Sequence, residues 1–89
     1  MRAIVTVIGK DRIGIIADVC QMLAAQNVNV LDISQTILQE YFTMVMLVDT
    51  AACTLPFGDL AELLKVEGEK VALNIRTQRE DIFNAMHRI

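Results

Sequence analysis

Gly9-Lys10-Asp11-Arg12-Ile13-Gly14 sets a short polar stretch between two glycines, after the β-branched run Ile4-Val5-Thr6-Val7-Ile8 and before an amphipathic segment that starts where the loop ends. A strand that turns directly into a helix makes a site for a small anion. The first N–H groups of a helix have no intrahelical acceptor, and the helix dipole is positive at that end. The backbone near Ile13, Gly14 and Ile15 is therefore the candidate donor set for a carboxylate or phosphate. Gly14 lets a ligand reach that backbone with no Cβ in the way, although close packing of helix on sheet is an equally good reason for glycine there. Lys10 and Arg12 either add positive charge to the site or stay solvated, as exposed loop cations usually do.

Candidate acceptors lie further on, in Asn27-Val28-Asn29-Val30-Leu31-Asp32-Ile33-Ser34. Asp is depleted within strands, yet Asp32 interrupts an apolar passage with Val30-Leu31 before it and Ile33 after it. We read Asp32 as functional, with Asn29 beside it. Asp11 divides between a ligand contact and an N-cap of the first helix, in which it accepts the N–H of Ile13 or Gly14 for about 1 kcal/mol.

Other chemistries fail on residue type or spacing. The Gly9 to Gly14 loop lacks the GxxxxGK[ST] order of a phosphate loop. His87 is the only histidine, and no Ser/His/Asp or Cys/His set assembles around it. Glu67 with Glu69, and Glu80 with Asp81, read as solvated helix surface and first-turn dipole partners. Cys20 and Cys53 belong to no CxxC or Cys/His cluster and read as reduced thiols, so no metal, cofactor or catalytic residue is expected. A net charge of −3 argues against a nucleic-acid backbone as partner. No apolar run approaches the ~18 residues of a membrane span, and the N-terminus lacks the features of a signal peptide, so a cytoplasmic location is expected.

The elements that must position these residues follow a β-α-β-β-α-β order with one further helix. The first strand covers about Arg2 to Ile8. Ile16, Val19, Cys20 and Leu23 give the first helix its apolar stripe, and that helix ends at Asn27, which tolerates positive φ. Strands from about Val28 to Gln39 and Phe42 to Thr50 meet at a tight hairpin at Glu40-Tyr41. Pro56 suits the first turn of a second helix with Thr54 or Leu55 as cap, Phe57, Leu60 and Leu64 as its stripe, and Gly68 closing it. Val71, Leu73 and Ile75 alternate as a final half-buried strand. Arg79 to Ile89 reads as a short helix with Ile82, Phe83, Met86 and Ile89 on one side.

Two βαβ halves with right-handed crossovers fold into an α+β, ferredoxin-like arrangement: a four-stranded antiparallel sheet with both helices on one face. The expectation is a single domain over 1–89, with 1–78 as the βαββαβ core and 79–89 as the C-terminal helix. Phe42, Met44, Met46 and Val48 then share one side of the third strand. The other side, Thr43, Val45, Leu47 and Asp49, is half apolar, more than a merely solvated face needs. The final helix, a second subunit or both are expected to cover it.

Asp11-Arg12-Ile13-Gly14-Ile15-Ile16-Ala17-Asp18-Val19 is similar to the first-turn pattern of the ACT domain, a small amino-acid-sensing module. Asn29-Val30-Leu31-Asp32-Ile33 is similar to its second-strand entry. The likeness runs the whole length, and the chain most resembles the free-standing ACT proteins related to the glycine-cleavage-system repressor. Ile13 stands where many relatives carry Pro. The resemblance implies a non-catalytic regulatory domain that binds a small ligand, an amino acid. Backbone near Ile13, Gly14 and Ile15, with charge from Arg12, would hold the carboxylate, and Asp32, Asn29 or Asp11 would accept from the ammonium. The alternative is a protein-interaction or dimerisation module without ligand binding; a small enzyme or enzyme subunit is the weaker third reading. The apolar stripe of the last helix independently predicts a homodimer with that helix at or beside its interface.

Overall fold

The computed structural model describes residues 1–81. Six elements run in the order β1 (Arg2–Lys10), α1 (Ile15–Ala25), β2 (Asn29–Leu38), β3 (Tyr41–Asp49), α2 (Phe57–Lys70) and β4 (Leu73–Arg79). All pairings are antiparallel, and the strand order is β2-β3-β1-β4. This is the ferredoxin-like βαββαβ fold read from the sequence. The short C-terminal helix expected from Arg79 onward falls mostly on residues 82–89, outside the described part, and Arg79 itself belongs to β4.

Strict alternation in the central strands builds the core. Ala3, Val5 and Val7 of β1 lie opposite Val48, Met46 and Met44 of β3, and none of the six exceeds 1% exposure. Leu73 and Ile75 continue that buried surface on β4, and Leu60 and Leu64 of α2 lie against it. Helix α1 contributes Ile15, Val19 and Leu23, an i, i+4, i+8 row. The expected stripe is thus rotated by one residue: Ile16 is 38% exposed and Cys20 half-buried.

Element ends differ from the sequence reading where backbone geometry outweighs residue type. Helix α1 stops at Ala25, and Asn27 takes φ 58° just beyond it. Val28 N–H donates to Leu23 O and Asn27 N–H to Ala24 O, a Schellman closure that uses Asn27 as its left-handed residue. The hairpin loop is Gln39-Glu40 rather than Glu40-Tyr41, because Leu38 pairs with Tyr41 and Gln39 adopts the positive φ of 56° that primed hairpin turns favour. Pro56 occupies the N-cap of α2, one residue ahead of the helical turn assigned to it, and Leu60 N–H donates to its carbonyl. Gly68 does not close α2. It lies two residues inside the helix, where a Cβ would come within 2.7 Å of Ile75 Cγ1, so glycine serves the contact between α2 and β4. The helix runs on to Lys70 and leaves Val71 as its C-cap instead of a strand residue.

Two features of the sheet bear on function. Helices cover one face only, and the other carries Ile4, Thr6 and Ile8 of β1 beside Leu47, Val45 and Thr43 of β3. Strand β2 is an edge strand with no buried residue along its ten positions, interrupted by a bulge between Val30 and Asp32. At the opposite end of β1 from the turn, Asp49 accepts the Ala51 N–H and faces the Met1 ammonium. The Ala51 bond chiefly, and that cation after it, hold its carboxyl below the usual carboxylate value.

Thr77 has the buried side-chain oxygen with no hydrogen-bond partner among the described residues. An unpaired buried hydroxyl costs about 1–3 kcal/mol, and Val has nearly the same shape. Thr77→Val is expected to raise unfolding stability by about 1 kcal/mol in chemical denaturation; equal or lower stability would mean that the hydroxyl has a partner in solution.

Candidate functional site

Strand β1 continues to Lys10, two residues past the expected end, and delivers the chain into the turn Asp11 to Gly14. Asp11 N–H donates to Glu40 O at 2.7 Å, which ties the turn to the β2–β3 hairpin. Gly14 then takes φ 91° at the N-cap of α1, and no side chain caps the helix. Asp11 is therefore not the N-cap that the sequence allowed: with Gly14 in the cap position, α1 starts at Ile15, three residues beyond its reach as a cap. The first intrahelical bond is Asp18 N–H to Gly14 O at 2.9 Å. The N–H groups of Ile15, Ile16 and Ala17 precede it and have no acceptor within the helix. The donor set thus sits two residues later than the backbone of Ile13, Gly14 and Ile15, with Ile15 common to both. Ile13 is at the tip of the turn and 99% exposed.

Those helix-start groups open into a groove of about 250 Å³ lined by Asp11, Arg12, Gly14, Ile15, Ile16, Ala17, Gln35, Ile37 and Phe42. Gln35 and Ile37 come from the helix-side face of β2, opposite Met44 and Phe42 of β3. Sequence reading missed both. Their signal was available in the alternation of β2 counted back from the hairpin, since Asp32 to Leu38 pair with β3 in unbroken register. Gln35 brings a carbonyl acceptor and an amide donor to the groove, and Ile37, 53% exposed, an apolar wall.

Arg12 is not a solvated loop cation. Its guanidinium donates to Asp18 Oδ2 at 3.0 Å, to Ile13 O at 3.2 Å and to Val71 O at 3.3 Å. Lys10 is exposed and stands at the end of β1. Asn29 and Asp32 do not reach the turn of their own protomer. Asn29 pairs with Asp49 and Asp32 with Leu47, while the turn follows Lys10, opposite Tyr41. At about 3.4 Å per residue these pairings put them roughly 27 Å and 20 Å down the sheet. Asp32 Oδ1 accepts the Ile33 N–H, and the residue lines a smaller hollow of about 140 Å³ on the helix-free face with Ile4, Ser34, Val45 and Leu47.

A one-faced ferredoxin-like sheet whose first strand leads into an uncapped helix start defines a small α+β domain of the βαββαβ class. The ACT domain family matches residues 2–78, and the chain belongs to that family. A UPF0237 protein of Clostridium acetobutylicum is 51% identical over 89 residues, the whole of both chains. Among solved structures, an ACT domain protein from Streptococcus pneumoniae is 40% identical with a TM-score of 0.84 over 98% of each chain. A putative glycine cleavage system transcriptional repressor is similar in fold, with a TM-score of 0.71 at 22% identity over 86% of this chain and 44% of that one. ACT domains are a family of regulatory domains.

The space around Gly14 is open, with only Arg12 Nη1 at 3.9 Å from an added Cβ, so its requirement is backbone conformation rather than room. Gly14→Val is expected to lower stability by about 2 kcal/mol and Gly14→Asn by clearly less, since Asn tolerates positive φ. Equal losses for the two variants in urea titrations would show that a side chain, not φ, is what the position rejects.

Proposed function

We propose that the chain is a non-catalytic sensor that binds a small carboxylate-bearing ligand, an amino acid, in the groove between the Asp11 to Gly14 turn and β2. ACT domains generally bind small-molecule ligands such as amino acids, and the observation that carries the reading here is the start of α1. Three N–H groups without intrahelical acceptors, no side-chain cap and a glycine at φ 91° open into one groove. A ligand carboxylate fits those donors. Asp11 is the acceptor for the ammonium within the groove, and Gln35 and Ile37 meet the ligand's side chain. With no Ser/His/Asp or Cys/His set in the sequence, we read the domain as regulatory rather than catalytic, and place it in the cytoplasm.

The partner we propose is a second copy of the chain, joined along β2. The two edges of the sheet are unlike. β4 carries Arg76 and Arg79, charges that discourage pairing, whereas β2 has Asp32 as its one charge and exposes Leu31, Ile33, Ile37 and Leu38. Antiparallel pairing centred on β2 sets Asn29 of one copy opposite Leu38 of the other. It brings Asn29 and Asp32 to the end of the sheet where the partner's turn lies, and so restores the acceptors that one protomer keeps apart. The same unprotected edge favours the second reading, a dimerisation module without ligand.

Thermal shift against the amino acids tests the first reading. A ligand at 100 times its Kd stabilises the folded state by about 2.7 kcal/mol, a melting-temperature rise that Gly14→Val is expected to abolish and Asp32→Ala to reduce. A wild-type protein that responds to none of them leaves only the dimerisation module. A rise that Asp32→Ala keeps in full removes Asp32 from the site.

Sedimentation tests the assembly. The wild-type chain is expected to be a dimer at micromolar concentration, and Ile33→Lys, which sets like charges near the two-fold axis, a folded monomer. Wild-type monomer, or an Ile33→Lys dimer of unchanged affinity, excludes pairing through β2.

A further inference from the structure

Arg12 sits where three separate segments of the chain meet. Through Ile13 O it holds its own turn, through Asp18 Oδ2 the first turn of α1, and through Val71 O the C-cap of α2. One nitrogen, Nη2, serves both Asp18 and Val71, at 3.0 Å and 3.3 Å. The surroundings suit a cation twice over, since the acidic residue in the first turn of α1 and the negative end of the α2 dipole both face it.

The α2–β4 junction that Arg12 reaches is a tight one, with only Val71 and Ala72 between the helix and the strand. Ala72 turns the chain with φ 61°, a left-handed conformation that alanine rarely adopts, and its N–H donates to Glu69 O. A second contact joins the same two places independently. Gly9, at the approach to the turn, lies opposite Leu73, and a Cβ there would stand 2.7 Å from Leu73 Cδ2 and 3.3 Å from Ala72 O. The turn and the junction therefore lean on each other at both ends of residues 9–12.

We propose that Arg12 is a positioning residue that couples the β1–α1 turn to the α2–β4 junction, a strut that holds Val71 while the turn is in place and lets it go when the turn shifts. Asp18 keeps the guanidinium in either position, so release of Val71 strands no charge. An anion at the start of α1 competes for the same guanidinium, which would carry occupancy of the groove to the C-terminus of α2 and the outer strand β4. The coupling itself needs no ligand, and it stands or falls separately from the reading of the groove.

Lys cannot replace Arg12 in this role, because a single ammonium does not span the three acceptors that a planar guanidinium reaches. Site-resolved amide hydrogen exchange on the full chain reads the strut without any ligand. Arg12→Gln and Arg12→Lys are expected to speed exchange at Val71 and Ala72 by roughly five-fold, while the β3 amides keep their wild-type rates. Asp18→Asn, which leaves Arg12 bound to Val71 O, is expected to leave Val71 and Ala72 at wild-type rates. If Arg12→Gln folds too poorly to assign, Arg12→Lys supplies the same comparison. Faster exchange confined to Gly14 through Asp18, or a uniform increase across the sheet, overturns the proposal: the first gives Arg12 only a local role at α1, the second only a share in global stability.

Discussion

The packing of alternate β1 residues against alternate β3 residues is the constraint from which the rest of this structure follows. Ala3, Val5 and Val7 meet Val48, Met46 and Met44 on one face, and all six are removed from water. Burying an aliphatic side chain of this kind is worth about 1.5–3 kcal/mol, so the face that carries them must be the one the helices cover. With β1 and β3 central, β2 and β4 become the edges. The end of β1 then points the chain straight into α1, and the candidate turn lies where a central strand leaves the sheet.

That placement explains how a turn with few interactions of its own can hold a definite shape. The helix start has no side-chain cap, a feature that ordinarily costs about 1 kcal/mol. The loss is offset from outside the helix: Asp11 is tied to Glu40, Arg12 to Val71, and Gly9 is pressed against Leu73. Strength borrowed from three neighbouring segments leaves the helix N–H groups open to solvent. A turn capped by its own side chain would be simpler to stabilise, but its donors would be spent.

Much of this was legible in the sequence, and the exceptions have physical causes. The period-two pattern of Phe42 to Val48 gave both the strand and its buried face, and Asn27 was readable as a helix end because few other residues accept positive φ. Gly68 misled, since a glycine late in a helix has the same composition signal whether it ends the helix or admits a close neighbour. Only the position of Ile75 across the gap distinguishes the two. Ala72 carried no signal at all: alanine is a strong helix former, and its left-handed conformation is imposed by the chain's return into β4. Asp11 was a reasonable cap by type, and it lost the position because Gly14 reaches a cap geometry closer to the helix.

The candidate site was legible in its backbone part and not in its side-chain part, for a reason that lies in β2. Residue type picked out Gly14 and the helix start, and those do share a groove. It also picked out Asn29 and Asp32, which share a strand with the groove residues Gln35 and Ile37 but not their end of the sheet. The bulge at Val30/Asp32 adds a residue and reverses the face of everything before it relative to simple alternation. A sequence cannot announce such a shift when the strand is exposed on both faces, because no buried row fixes the phase. The same lack of a buried row leaves β2 as an exposed edge of the sheet. Nine exposed residues and a half-buried Val30, with one charge among them, leave this edge open to pairing, and in the antiparallel pair proposed above the acceptors that stand far from the turn in one copy fall near it. On the dimer proposed above, Asn29 and Asp32 belong to a site shared between two copies, because within one protomer the pairings of β2 hold them away from the turn.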